Sequence, residues 1–151
     1  MFRVEKTTNL IRPRATVTPP RKSMSGPSVP VRLVRVSYAL LVSAFAGCAV
    51  VQVFFAGMGA FGADWSWHTT FVHLLSLLSL AMIPAALFGR LSWGLTLLPF
   101  GLVFLIGLQY AFASAAVPAA ALHPVNGFLI LFLGLFCARR AWAAVTGRRE
   151  K

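Results

Sequence analysis

Hydrophobic positions along the chain form three long runs that contain no charged residue. The runs cover residues 36–63 (28 residues), 65–89 (25 residues) and 91–138 (48 residues), and they are separated by Asp64 and Arg90. A helix needs about 20 apolar residues to cross the hydrocarbon core of a bilayer, so the first two runs each fit one span and the third fits two. The pattern therefore predicts an all-α protein, a four-helix transmembrane bundle with up-down-up-down topology.

The positions of the four spans follow from where glycine, proline and polar residues interrupt these runs. We place the spans at about residues 33–61, 67–88, 92–117 and 123–142, inside a membrane domain that covers 32–145. Segments that contain glycine or proline lie between the predicted spans, as is typical of turns that join antiparallel helices.

Two polar segments flank the predicted membrane domain. Residues 1–31 contain five prolines and lack apolar periodicity, which predicts a disordered, basic, cytoplasmic tail. Residues 146–151 are interpreted as a second, short basic tail. The sequence leaves open whether translation starts at Met1 or at Met24.

The charge distribution favours a membrane protein over a protein that binds nucleic acid. The chain is 58% hydrophobic and has a net charge of +11, yet all 14 Lys and Arg residues are predicted on one side of the membrane, and only Asp64 is charged on the other. An excess of Lys and Arg marks the cytoplasmic side. We therefore predict an integral protein of the cytoplasmic membrane with both termini cytoplasmic, its tail contacting anionic lipid headgroups, and no nucleic-acid partner.

Five polar side chains are predicted in the half of the membrane opposite the basic residues, although they come from four helices. Gln52 and Gln109 lie about 24 Å along the first and third spans. His68 and His123 lie at the starts of the second and fourth helices, and His73 lies about 7.5 Å deeper than His68. His73 shares a helical face with other polar residues, so we expect His73 to face the bundle interior and His68 to lie at the interface.

Histidines on different helices among small residues are typical of a b-type haem site, because two imidazoles bind the iron from opposite sides. A structural alternative stays open. His73 would then be hydrogen-bonded to Ser76, Gln52 or Gln109. His123 would be an interfacial residue that caps the start of its helix, a cap that Asn126 could also provide. A zinc site is not expected, since only three histidines exist and they lie on divergent faces.

A short pattern occurs in both the first and the third predicted helix. Gln52 is followed four and seven residues later by small residues, and so is Gln109. Each copy precedes a helix that opens near a histidine. The chain is therefore interpreted as a helix pair that occurs twice.

The order of these residues resembles one half of a haem A synthase-type bundle. It resembles still more a small uncharacterised bacterial four-helix membrane family, a domain of unknown function. The likeness spans about residues 36–142 and is carried by Val51-Gln52-Val53-Phe54-Phe55-Ala56-Gly57, His73, Leu108-Gln109 and Leu122-His123-Pro124-Val125-Asn126-Gly127. By this resemblance His73 and His123 are the ligands of haem b iron. The accessory binding residues would be Gln52, His68, Gln109 and Asn126.

The chain departs from haem A synthases next to the histidine of the second helix. Those enzymes carry a glutamate before this histidine and an arginine after it, whereas this chain has Val72 and Leu74 and no glutamate in any predicted span. The resemblance therefore does not extend to their oxidative chemistry. The signatures of common soluble enzymes are also absent, so no catalytic residue is predicted and an enzyme is the less favoured reading.

Three functions remain open at this point. The first is a small polytopic membrane protein of uncharacterised molecular role, with a cluster of Gln and His residues in one half of the bilayer. The second is a bis-histidine haem protein in electron transfer, and the third is a subunit of an oligomeric transporter. The expected partners are the lipid bilayer and either a second copy of the chain or a redox partner.

Overall fold

The structure, a computed structural model, describes residues 28–148 and consists of four long helices. These are α1 (Val29–Ala60), α2 (Ser66–Phe88), α3 (Trp93–Ala113) and α4 (Leu122–Thr146), and a short 3-10 turn at Ala119–Ala121 leads into α4. Each helix is long and apolar enough to cross a membrane. The prediction of an all-α, four-helix transmembrane bundle is confirmed.

Consecutive helices run antiparallel and close into a ring of four. α1 packs against α2 and α4, and α3 packs against the same two helices. We call one end of the bundle the histidine end; it contains the α1–α2 turn (61–65) and the α3–α4 connection (114–121). The opposite end, here the basic end, contains the start of α1, the α2–α3 turn (89–92) and the end of α4.

Residues at the helix ends suit the backbone that those positions require. Pro30 lies in the first turn of α1, where a missing N–H costs no hydrogen bond. Gly147 follows α4 with a φ of 70°, in the left-handed region that glycine adopts without strain. Ser92 precedes α3 with an extended backbone, but its side chain makes no capping hydrogen bond.

Three helix ends lie four residues from their predicted positions. α4 ends at Thr146 instead of near residue 142. α1 begins at Val29 instead of near residue 33, so three residues assigned to the disordered tail are helical. α3 ends at Ala113 instead of near residue 117. At this end the Ser114 hydroxyl donates to the carbonyls of Tyr110 and Ala111, which offers the backbone an alternative to another helical turn. The remainder of the predicted N-terminal tail, and the last residues of the C-terminal one, lie outside the described residues.

The half of the bundle nearest the basic end has a densely packed interior. Tyr38, Met82 and Leu102 are fully buried there. The Tyr38 hydroxyl donates to the backbone carbonyl of Leu95 at 2.8 Å, and it lies 3.2 Å from the Cys137 sulfur. Many large apolar side chains on the outside of the bundle are exposed, as expected for helices whose outer faces meet lipid.

Arg35 joins α1 to the turn between α2 and α3. Its Nε donates to the carbonyl of Gly89 at 2.9 Å, and its Nη2 donates to the carbonyl of Arg90 at 3.1 Å. Arg90 has a φ of 48°, which is uncommon for a residue with a side chain. The two hydrogen bonds from Arg35 therefore help to hold a turn that its own sequence does not favour.

Candidate functional site: a cavity between two histidines

The four helices surround a cavity of about 840 Å³ at the histidine end. Every helix contributes to its wall, and much of the wall consists of small residues. These are Ala49, Ala56, Gly57, Ala60, Ala113, Ala120 and Gly127. The polar side chains of Gln52, His68, Gln109 and His123 also line it. The cavity is therefore an apolar space with a few polar groups, the usual composition of a ligand pocket.

Gln52 links α1 to the start of α2. Its Nε2 donates to the backbone carbonyl of His68 at 2.9 Å. The Oε1 of Gln52 is buried and has no hydrogen-bond partner among the described residues, and the same is true of the Nδ1 of His68. This side of the cavity thus contains two buried polar atoms without a protein partner, and such atoms call for an explanation.

Gln109 links α3 to the start of α4 in the same way. Its Nε2 donates to the backbone carbonyl of His123 at 2.9 Å. Its Oε1 accepts a hydrogen bond from Asn126, which also donates to the carbonyl of Leu105 at 2.8 Å. Asn126 is buried, and these bonds tie it to α3. It therefore holds two helices together at the cavity wall.

These two contacts show that the helix pair α1–α2 and the helix pair α3–α4 are built alike. Gln52 precedes His68 by 16 residues, and Gln109 precedes His123 by 14. In both pairs the glutamine donates to the histidine carbonyl over the same distance. The interpretation of the sequence as a repeated helix pair has a structural counterpart in this contact.

His68 and His123 lie close together at the cavity wall. Their ring centroids are 6.1 Å apart, and their planes are inclined at 52°. The Nδ1 of His123 lies 3.1 Å from the backbone carbonyl of Gln109. Because a carbonyl can only accept, Nδ1 carries the proton in this contact, and Nε2 keeps a free lone pair. His123 is therefore in the tautomer that can bind a metal through Nε2.

His73 occupies a different position from the one expected. It is exposed on the outside of the bundle, and its Nδ1 lies 3.2 Å from the hydroxyl of Tyr110 on α3. His73 is also one of the residues that line the cavity. Five residues of helix rotate His73 by about 140° relative to His68. The structure therefore pairs His123 with His68 and places His73 beside Tyr110.

The spacing of the buried residues along α2 indicates that His68 faces the bundle interior. The buried residues of α2 are Leu75, Ser79, Met82 and Ala86, at alternating spacings of four and three. Continuing that spacing toward the start of the helix leads to Val72 and then to His68. Most of this stripe is apolar or small, so a search along polar positions alone selects the face of His73 instead.

Trp65 is a further residue of the cavity wall. Its ring lies edge-on to His68, with centroids 5.4 Å apart, and it lines the cavity. The ring packs so closely over Gly59 that a Cβ at that position would lie 2.5 Å from it. Gly59 thus allows Trp65 to close one side of the cavity.

Asp64 lies in the α1–α2 turn and is not part of the cavity wall. Its carboxylate accepts hydrogen bonds from the hydroxyl of Ser66 at 2.6 Å and from the backbone N–H of Ser66 at 3.0 Å. These bonds favour the charged form and lower the pKa of Asp64 below its usual value. The group serves the start of α2.

Fold and site together define a four-span membrane protein with a histidine-lined cavity at one end. Residues 52–116 match the model of a family of unknown function, DUF6220. The matched segment includes Gln52, His68 and Gln109, and it ends before His123. No curated protein and no solved structure matches the chain. The comparisons are consistent with a small membrane protein of uncharacterised role.

Proposed function

We propose that this membrane protein binds a b-type haem between His68 and His123 and transfers electrons through it. The observation that carries the proposal is the 6.1 Å separation of the two imidazole rings at the cavity wall. It replaces the ligand pair implied by the sequence resemblance, His73 and His123, with a pair whose rings lie close together.

The ring separation suits a single metal ion bound from both sides. Metal–imidazole bonds are about 2.0–2.1 Å long and each nitrogen lies about 1.1 Å from its ring centre, so two rings facing each other across one ion have centres about 6.3 Å apart. Rotating either ring about its metal–nitrogen bond leaves this distance unchanged. The inclination of 52° between His68 and His123 is therefore compatible with shared ligation.

The number of ligands favours haem over a bare ion. Among residues 28–148 no group of three or more His, Cys, Asp or Glu side chains could hold a metal ion. Two imidazoles suit a metal whose remaining ligands come from a cofactor, as the four nitrogens of a porphyrin do. The small residues of the cavity wall leave room for a flat macrocycle.

The contact that His123 makes with Gln109 supports ligation as well. A metal-binding histidine usually donates its other N–H to a carbonyl or carboxylate, and His123 does so to Gln109. In the part of the chain that the structure describes, residues 28–148, no Lys or Arg lies at the histidine end to pair with haem propionates. Binding would therefore depend on His68 and His123.

Visible spectra of protein purified in detergent from haem-replete cells test the proposal. The expected result is a Soret band and a sharp α band on reduction, with a pyridine haemochrome of the b type. His68→Ala and His123→Ala are each expected to lose these bands. His73→Ala is the matched control and is expected to keep them.

Other results would overturn this assignment. A colourless preparation of the folded protein would exclude haem binding. Loss of the bands in His73→Ala, with His68→Ala unaffected, would support the pair implied by the resemblance instead. A transporter role has no observation of its own in its favour, because fully buried side chains such as Tyr38 and Leu102 fill the half of the bundle beyond the cavity.

For the orientation we infer both termini on the cytoplasmic side of the cell membrane. The described Lys and Arg residues support this, since all of them lie at the basic end, while Asp64 lies at the histidine end. The haem would then lie near the outer surface, within reach of a redox partner or of a second copy of the chain. Tags at both termini that stay protected in intact cells would agree with this orientation, and a tag labelled from outside would contradict it.

A further inference from the structure

A second recess lies at the basic end, between the start of α3 and the end of α4. This groove has a volume of about 560 Å³. Arg140 and Arg148 line it, and Ala143 and Ala144 lie between them along the chain. Ser92, the residue before α3, also lines the groove. The groove thus combines two guanidinium groups with a floor of small side chains.

No carboxylate is available nearby to neutralise these two arginines within the described part of the chain. Between residues 28 and 148 the only acidic residue is Asp64, which lies at the histidine end. Ser92 makes no capping hydrogen bond, so its hydroxyl can serve a ligand. The groove therefore offers charge and hydrogen-bond donors that suit an anion.

The groove borders exposed aromatic surface on the outside of the bundle. The guanidinium of Arg140 lies 5.7 Å over the ring of Phe136, one turn earlier on α4, and Phe136 is exposed on the outside of the bundle. Trp142, two residues further, is also exposed, and tryptophan is enriched at membrane interfaces. An anion in this groove would therefore lie beside apolar protein surface that acyl chains could cover.

We propose that this groove binds the phosphate of an anionic phospholipid, with Arg140 and Arg148 contacting the headgroup and the acyl chains lying along the exposed apolar surface near Phe136. Basic pockets between transmembrane helices on the cytoplasmic side are known to bind such headgroups. The site is independent of the haem proposal, because it lies at the opposite end of the bundle.

Native mass spectrometry of the full chain, mixed with phosphatidylglycerol or phosphatidylcholine in detergent, measures the preference directly. The unmodified protein is expected to retain phosphatidylglycerol in preference to phosphatidylcholine. Arg140→Gln is expected to lower this retention about fivefold. Arg139→Gln is the matched control: it removes the same charge from the neighbouring position, but Arg139 is exposed and does not line the groove. Its retention is expected to change less than twofold.

A steric variant keeps the test independent of charge and of folding defects. Ala143→Leu leaves every charge in place but fills the floor of the groove, and it is expected to reduce phosphatidylglycerol retention as Arg140→Gln does. Equal losses in Arg139→Gln and Arg140→Gln would show a general charge effect and overturn the site. Displacement of the lipid by millimolar inorganic phosphate would show a site for the free anion instead. Equal retention of the two lipids by the unmodified protein would also overturn the proposal.

Discussion

Gln109 donates a hydrogen bond to the backbone carbonyl of His123 at 2.9 Å, and the imidazole of His123 contacts the backbone carbonyl of Gln109 in return. This reciprocal contact fixes both the start of α4 and the direction of the imidazole ring. Gln52 makes the corresponding bond to the carbonyl of His68. In both helix pairs the glutamine binds the histidine backbone, which leaves the ring available for a ligand.

The two glutamines are expected to differ in their contribution to stability. Gln109→Leu should lower the free energy of unfolding by about 1–2 kcal/mol, because it removes the bond to His123 and one partner of buried Asn126. Gln52→Leu should cost about 0.5 kcal/mol or less, since it also removes a buried oxygen that has no partner. Steric trapping in bicelles measures both variants, and equal losses would contradict the difference in their contacts.

Gly59 is expected to tolerate no side chain. In Gly59→Ala the new Cβ would lie 2.5 Å from the ring of Trp65, so the ring must move, at a cost of about 1–3 kcal/mol. Gly47→Ala in the same helix is the control, since nothing lies within 4 Å of its Cβ, and it should be neutral or stabilising by up to about 1 kcal/mol. Thermal unfolding with tryptophan fluorescence detects both effects. A similar response of the two variants would argue against the packing of Trp65 over Gly59.

The hydroxyl of Tyr38 is expected to matter more than that of Tyr110. Tyr38→Phe leaves the Leu95 carbonyl without its buried donor and should cost about 1–2 kcal/mol. Tyr110→Phe removes a hydroxyl that contacts exposed His73 at the bundle surface, and it should cost less than about 1 kcal/mol. The measurement is the unfolding free energy of each variant in the same detergent. A larger loss in Tyr110→Phe would show that the contact with His73 is the more important one.

Asp64 is expected to make the start of α2 sensitive to acid. Hydrogen bonds from Ser66 lower its pKa, so the carboxylate stabilises the fold above the unfolded-state pKa of about 3.9. This contribution is lost as the pH falls through the lowered value. Ser66→Ala removes the hydroxyl, which contributes most to the shift, and should raise the pKa of Asp64 toward 3.9 or so. Asp64 is the only aspartate in the chain, so ¹³C-labelled aspartate reports its titration unambiguously. An unchanged titration in Ser66→Ala would contradict the hydrogen bond.

Variants of Arg35 and Arg32 distinguish the effect of losing a charge from the effect of losing hydrogen bonds. Arg35→Gln removes the hydrogen bonds to the carbonyls of Gly89 and Arg90 and should lower the unfolding free energy by about 1–2 kcal/mol. Arg32→Gln removes the same charge one turn earlier on α1, at an exposed position, and should cost less than about 0.5 kcal/mol. Equal effects would mean that only the charge of Arg35 matters.

The fold could be predicted from the sequence because lipid imposes a simple rule. Uncharged runs of sufficient length must become helices that satisfy their own backbone hydrogen bonds. Helix ends were less predictable, since they depend on local competition such as that of the Ser114 hydroxyl with the continuation of α3. Val29 and Pro30 could not be recognised as helical from composition alone, because proline suits both a disordered tail and a first helical turn.

The residues of the candidate site could be predicted from the sequence, but which two histidines lie together could not. The sequence placed Gln52, Gln109 and the histidines at one level because the helical rise fixes depth. It selected His73 rather than His68 for the bundle interior from the polar face alone, whereas the rotation of α2 about its axis is set by tertiary packing that buries Leu75 and Ser79. Trp65 could not be recognised as a cavity residue, since its position depends on the close approach of Gly59 in another segment.

The side chain of Arg35 combines a positive charge near the start of α1 with hydrogen bonds to the α2–α3 turn. In the orientation proposed above, Arg35 belongs to the basic flank of α1 that would bias how the first hairpin enters the bilayer. The same side chain binds the Gly89 and Arg90 carbonyls and so holds the turn between the two halves of the chain. On that proposal, insertion direction and assembly of the halves depend on a single side chain. In a molecule inserted in the opposite orientation, Arg35 and the α2–α3 turn would have to meet on the other side of the membrane.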